Sequence, residues 1–292
     1  KYRGDNLVCE VTSSTIYRCC LLLTGDPFMD MSIHPVPRGK LVAIGGAEDK
    51  TSETEILRQV LALSQTREPV VGVVTTASSI PDDVFADYRQ VFERLGAAEV
   101  LDVRIRERAD AVDPAFLDML SRSDVIFISG GDQMRLTSIL GASDALRNIR
   151  KRYDEGAVIA GTSAGAACQS TTMVYGGNAT DSLRKGAVKM TAGFGLIEGV
   201  IIDTHFLERG RFSRLMEVGA TNPEYLGVGL GENSAVLFED DKIYAFGPGH
   251  VVLVDSSAIT GSNVSDLSDG EAVSVHNVIM HALVDGNGYS LT

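Results

Sequence analysis

The chain alternates short apolar runs with amphipathic segments over most of its length. Leu41-Val42-Ala43-Ile44 is four consecutive apolar residues stopped by Gly45-Gly46, the pattern of a buried strand ending in a turn. Thr51 to Leu63 has helical spacing, with Ile56, Leu57, Val60, Leu61 and Leu63 on one side. Val70 to Thr75 predicts a second strand. Pro81 opens a helix whose apolar face is Val84, Phe85, Tyr88, Val91, Phe92 and Leu95, and Gly96 closes it. Val100–Val103 predicts a third strand, Pro114 opens a shorter helix, and Val125–Ile128 is another buried strand. Leu136 to Tyr153 predicts mostly helix, followed by a strand at Val158. Val200–Asp203 and Leu226–Leu230 repeat the strand signal, and Arg209, Arg211 and Arg214 fall where a helix starts. From Ala235 to Asp255 the period is closer to two, with turns at Asp240-Asp241 and Gly247-Pro248-Gly249, which predicts antiparallel strands. Short strands and turns continue to the C-terminus.

Apolar strands alternating with amphipathic helices predict an α/β fold, a parallel sheet covered by helices. In such folds ligands gather at the carboxyl ends of the strands. The loops at those ends are polar and Gly-rich: Gly45-Gly46-Ala47-Glu48-Asp49, Thr75-Thr76-Ala77-Ser78-Ser79 and Ser129-Gly130-Gly131-Asp132-Gln133. Residues 1–37 lack either period and are expected to be an N-terminal extension, foreign to the natural chain or disordered. Residues 38–292 are expected to form one catalytic domain.

One stretch organises the rest. Val158-Ile159-Ala160 runs into Gly161-Thr162-Ser163-Ala164-Gly165, then further small residues. This is the logic of a nucleophile elbow: a strand, a sharp turn with Ser163 at its apex, and a helix packed closely through the two glycines. The turn also offers the Ala164 N–H and a helix N-terminus to a developing oxyanion. A Gly-rich turn with Ser163 as helix N-cap, or a phosphate-binding loop, has the same local pattern.

Composition narrows the alternatives. Of the 292 residues, 44% are hydrophobic and 22% charged, ordinary for a globular protein. The net charge of −13 argues against nonspecific nucleic-acid binding and suits either solubility or a cationic substrate. No apolar run reaches the roughly 18 residues of a membrane span. The four cysteines, Cys9, Cys19, Cys20 and Cys168, form no disulfide framework or metal motif, so a cytoplasmic setting and no metal or cofactor are expected.

A serine nucleophile needs a base, and the base an orienting group. Among five histidines, His205 alone follows a predicted parallel strand at the edge where Ser163 sits. Glu232 follows another strand at that edge. The order Ser, His, acid differs from the α/β-hydrolase order, which points to a different fold with the same geometry. Gly131 is a candidate second oxyanion donor. Arg209, Arg211 and Arg214 suit either a carboxylate ligand, through their forked geometry, or ordinary ion pairs.

Together, Gly45–Asp49, Gly130-Gly131-Asp132-Gln133, Gly161–Ala166, Asp203-Thr204-His205-Phe206 with the three arginines, and Gly229-Leu230-Gly231-Glu232 resemble the serine peptidase family of the cyanophycinases and aspartyl dipeptidases (peptidase E). The likeness covers about residues 38–292 and reaches Ile259-Thr260 and Asn263–Asp266. It implies a flavodoxin-like fold related to class I glutamine amidotransferases, extended by antiparallel strands, and commonly a homodimer. It implies Ser163, His205 and Glu232 as nucleophile, base and acid. It places Gln133, Asp203, Thr204, Arg209, Arg211 and Arg214 at the substrate site. The implied reaction is exopeptidase cleavage of cyanophycin, an arginine-bearing polyaspartate, to β-Asp-Arg dipeptides through an acyl-enzyme. The family usually has Gln where Thr204 stands and Asp where Gly231 stands, which loosens the substrate assignment. The alternatives are an aspartyl dipeptidase and, from another class, a nonenzymatic anion-binding module. A glutaminase would need Cys at position 163.

Overall fold

The computed structural model describes residues 39–178 and 183–291; the expected extension at 1–37 lies outside the described residues. In chain order the elements are β1 (Lys40–Ile44), α1 (Glu55–Ala62), β2 (Val70–Val74), α2 (Pro81–Arg94), β3 (Glu99–Val103), α3 (Pro114–Arg122), β4 (Val125–Ile128), α4 (Gln133–Leu140), α5 (Asp144–Glu155), β5 (Val158–Thr162) and α6 (Ala164–Ala167). They continue with β6 (Thr172–Gly176), β7 (Lys189–Ala192), β8 (Val200–Thr204), α7 (Phe212–Thr221), β9 (Leu226–Leu230), β10 (Ala235–Glu239), β11 (Lys242–Phe246) and β12 (Val251–Asp255). The last four strands are β13 (Gly261–Ser262), β14 (Val275–His276), β15 (Ile279–Leu283) and β16 (Gly288–Ser290).

The main sheet has eight strands in the order β16-β11-β10-β1-β5-β4-β2-β3. The five from β1 to β3 are mutually parallel, and β10, β11 and β16 extend the sheet antiparallel beyond β1. Successive side chains of a strand face opposite ways, so each central strand feeds two cores. Val42 and Ile44 of β1 pack with Ile56, Leu57, Tyr88 and Phe92 of α1 and α2. Leu41 and Ala43 pack on the other side with Leu136, Ile149 and Ala166 from α4, α5 and α6.

The later parallel pair does not extend the main sheet. β8 and β9 are parallel to each other but belong to a second sheet, β15-β12-β9-β8. Ile202, Val228 and Leu253 of that sheet enter the same core as Leu41. Its other face carries Ile201 and Val254 against Leu215 and Val218 of α7. The carboxyl ends of β8 and β9 are thereby brought beside those of β1 and β5.

Local chemistry moves three element boundaries from their sequence expectation. The helix expected from Thr51 begins at Glu55. Asp49 accepts the N–H groups of Thr51, Ser52 and Thr54 at 2.9, 3.0 and 3.0 Å, which offers that backbone a non-helical alternative. The helix expected from Leu136 to Tyr153 is broken at Gly141-Ala142, after which the Ser143 hydroxyl caps α5 through the Leu146 N–H at 3.1 Å. Arg209 and Arg211 precede α7, and only Arg214 lies within it.

Candidate active site

β5 delivers Ser163 in a conformation that residues with a Cβ rarely adopt, φ 52° and ψ −110°. Such strain persists only where the surroundings over-determine it. The Ser163 N–H donates to the Ile44 carbonyl at 3.0 Å, and the Ser163 carbonyl accepts from Ala166 and Ala167 at 3.0 and 2.9 Å. Strand and helix approach so closely that a Cβ on Gly161 would stand 2.2 Å from the Gly165 carbonyl oxygen. The hydroxyl makes no capping hydrogen bond, so the N-cap reading does not describe it. α6 has only four residues, so its dipole is a minor source of positive potential and the individual N–H groups carry that role.

The Ser163 Oγ lies 3.0 Å from His205 Nε2, and His205 Nδ1 lies 2.7 Å from Glu232 Oε1. A carboxylate facing Nδ1 fixes the hydrogen there and leaves the Nε2 lone pair for the serine hydroxyl, which donates to it. The imidazole is largely shielded, at 15% side-chain exposure, whereas Glu232 retains 40%. His205 itself has φ 47°. Its ring occupies space that opens because residue 46 is glycine.

Three consecutive carbonyls at the end of β1 set the spacing of this constellation. Ile44 accepts the Ser163 N–H at 3.0 Å, Gly45 the His205 N–H at 2.9 Å, and Gly46 the N–H of Asn233, the neighbour of Glu232, at 2.9 Å. Asn233 Oδ1 in turn accepts the Asp49 N–H at 3.1 Å. Three segments distant in sequence are thus held against one short piece of backbone. Sequence patterns marked Gly45–Asp49 as a polar loop at the right sheet edge but gave no signal for these main-chain contacts.

Of the two candidate oxyanion donors, Ala164 adjoins Ser163 and Gly131 follows a glycine packed against it. Ala164 is the first residue of α6, where an N–H has no acceptor within the helix. A Cβ on Gly130 would lie 3.3 Å from the Ser163 Cβ, which puts the Gly130-Gly131 peptide alongside the turn. Gln133 opens α4 and donates through Nε2 to the Val174 carbonyl at 3.4 Å.

Asp203, two residues before the imidazole, is 3% exposed and gathers two of the three arginines. Arg211 Nη1 donates to Asp203 Oδ1 at 2.9 Å and to the Thr204 carbonyl at 2.7 Å. Arg214, 4% exposed, donates to the Gly177 carbonyl at 3.0 Å and to Asp203 Oδ1 at 3.2 Å. Burial pushes the Asp203 carboxyl above its ordinary value, against the opposing pull of Arg214 and Arg211. Arg209 is exposed and makes no ion pair among the described residues. Thr204 is buried, and the Gly231 N–H donates to the His250 carbonyl at 3.0 Å. Among the described residues no group of histidine, cysteine and carboxylate side chains has the arrangement of a metal site. No helix among them is long and apolar enough to cross a membrane.

Residues 41–246 match the model of peptidase family S51. Cyanophycinases are similar along most of the chain. That of Synechococcus elongatus is 35% identical over 260 residues, 88% of this chain and 81% of the relative. That of Geminocystis herdmanii is 32% identical over 255 residues, 87% of this chain and 94% of the relative. The crystal structure of a peptidase from an acI-B1 actinobacterium shares the fold, with TM-score 0.65 at 20% identity over 87% of this chain and 97% of that one. The chain belongs to peptidase family S51 and is a hydrolase of the serine peptidase class.

Proposed function

We propose that this chain hydrolyses cyanophycin to β-Asp-Arg dipeptides through a Ser163-His205-Glu232 triad and an acyl-enzyme. The observation that carries the mechanism is the continuous relay from Ser163 Oγ to His205 Nε2 and from His205 Nδ1 to Glu232 Oε1, at 3.0 and 2.7 Å. Similarity to cyanophycinases over most of the chain supports the substrate, and so does the net charge of −13, which attracts an arginine-covered polymer.

Ser163 Oγ attacks the scissile carbonyl carbon while its proton passes to His205 Nε2. The Ala164 and Gly131 N–H groups receive the oxyanion. The tetrahedral centre collapses by expelling the amine, which takes the proton from the imidazolium, and Ser163 is left acylated. Water then attacks the ester with His205 again as base, releasing the acid and restoring the hydroxyl. Glu232 holds the imidazole and offsets its transient charge. Gln133 and Thr204 line the substrate site in this reading. Arg209 holds an aspartate carboxylate, while Arg211 and Arg214 act through the buried Asp203. The assembly is a cytoplasmic homodimer, which light scattering of the purified protein tests.

Wild type and Ser163→Ala are incubated with purified cyanophycin and the soluble products are read by mass spectrometry. β-Asp-Arg from wild type alone is the expected result. Silence from both, with Ser163 of the wild type still labelled by a fluorophosphonate, would remove the substrate and keep the nucleophile; aspartyl dipeptides are then the substrates to assay.

A further inference from the structure

We propose that Glu48 is a positioning residue for the nucleophile, acting through the hydroxyl of Thr162. The inference rests on the reading of Ser163 as nucleophile given above.

Glu48 lies on the loop after β1, and its side chain is 1% exposed. Its Oε2 accepts the Thr162 hydroxyl at 2.6 Å. Its Oε1 accepts the Tyr88 phenol from α2 and has Lys50 Nζ at 3.4 Å. Lys50 Nζ also sits 4.9 Å from the centre of the Tyr88 ring. Burial, then the charge of Glu48, raises the Tyr88 phenol above its ordinary value, so the phenol keeps its proton and donates. Both carboxylate oxygens are therefore engaged.

A buried carboxylate is an expensive way to fill space, because apolar side chains of similar volume often do so at lower free energy. What this one adds is direction. Thr162 is the last residue of β5, pairs with Ile44 of β1, and precedes the strained Ser163. Its side chain is β-branched, so holding the hydroxyl fixes χ1 and with it the strand end that enters the turn. The main chain of Ser163 is held by Ile44 at the end of β1, and Glu48, on the loop that follows, holds the preceding side chain. A misplacement of about 1 Å in a catalytic group can cost about 100-fold in rate.

The test measures the fluorophosphonate labelling rate of Ser163 per labelled site in the full chain, alongside kcat and KM on cyanophycin and the melting temperature. Thr162→Val keeps the shape and removes the hydroxyl. It is expected to lower the per-site labelling rate and kcat together by about 10-fold or more, with KM within about three-fold. Glu48→Gln still presents an oxygen to Thr162 and is expected to hold the rate within about three-fold. Tyr88→Phe removes the other contact and is expected to lower melting temperature while leaving the per-site rate unchanged. If Thr162→Val does not fold, Thr162→Ser and Thr162→Ala make the same comparison, with only the alanine slow. A hydroxyl-free variant that labels at the wild-type rate overturns the inference and leaves Glu48 a purely structural residue. Failure of the underlying reading looks different, since wild-type Ser163 would then not label, or Ser163→Ala would keep its activity.

Discussion

Gly46 and His205 share one space: a Cβ built on Gly46 would stand 2.4 Å from His205 Cε1 and 2.6 Å from Nε2, the nitrogen that faces Ser163. Gly46 also has φ +102°, a region that side chains disfavour. Gly46→Ala is therefore expected to displace the imidazole and lower kcat by about 100-fold or more. The fold should survive, with unchanged far-ultraviolet circular dichroism. Wild-type turnover in this variant would mean that the loop yields and the ring position is not set there.

Ser163 combines strain with chemistry, and two substitutions separate them. Ser163→Ala removes the hydroxyl but keeps a Cβ at φ 52°. It should lose activity by about three orders of magnitude or more while melting near wild type. Ser163→Gly should be equally inactive yet more stable than the alanine variant, by about 1 kcal/mol, because glycine adopts that backbone freely. Chemical denaturation of the two variants side by side gives the difference.

The pair Asp203 and Arg214 is buried on both sides, at 3% and 4% exposure. Removing Asp203 strands Arg214, and removing Arg214 leaves the buried carboxylate with Arg211 as its one remaining cation among the described residues. Arg214→Leu and Asp203→Leu are each expected to cost about 3 kcal/mol or more. The double variant should be less destabilised than the sum of the singles, since the buried Arg214 charge leaves with its partner and only the more exposed Arg211 loses its carboxylate. Urea titration of the four proteins checks this, and strict additivity would show that the pair is not coupled.

Asp49 carries a pH signature. Hydrogen bonds from Ser52, Thr54 and Thr51 hold its carboxyl far below the ordinary 3.8. A carboxyl depressed in the folded state contributes stability above its unfolded value, and that contribution drains away as pH falls through the folded value. The stability gap between wild type and Asp49→Asn should therefore be constant from pH 7 to about pH 5 and shrink below about pH 4. Unfolding titrations across that range measure it; a gap that widens in acid would contradict the assignment.

Much of this arrangement was legible in the residues because it obeys strong local rules. Leu41–Ile44 and Val125–Ile128 are continuous apolar runs, as strands buried on both faces must be. Gly161 and Gly165 announce close strand-helix packing, and His205 and Glu232 stand at the ends of β8 and β9 as their strand signals required. What stayed hidden was decided at longer range. The apolar run of β8 reads the same in either sheet, and only its packing against the Leu41 face places it in the second one. α1 starts later than its hydrophobic period implies because the Asp49 side chain outcompetes helical hydrogen bonding over residues 51–54, which such a period does not register. Arg211 and Arg214 left two readings open, and the buried Asp203 between them is what a charge count does not reveal.

The three carbonyls at the end of β1 also set an order in which the site can be completed during synthesis. β1 sits between β5 and β10, and its terminal carbonyls touch segments as far along the chain as Asn233. Ribosomal synthesis makes this backbone early and the last segment it holds, at Asn233, late. An emerging polypeptide therefore holds the template before the segments arranged on it, and one terminated before Asn233 lacks the last of them. In the proposed mechanism, Ser163, His205 and Glu232 therefore come into register together only once synthesis has passed Asn233.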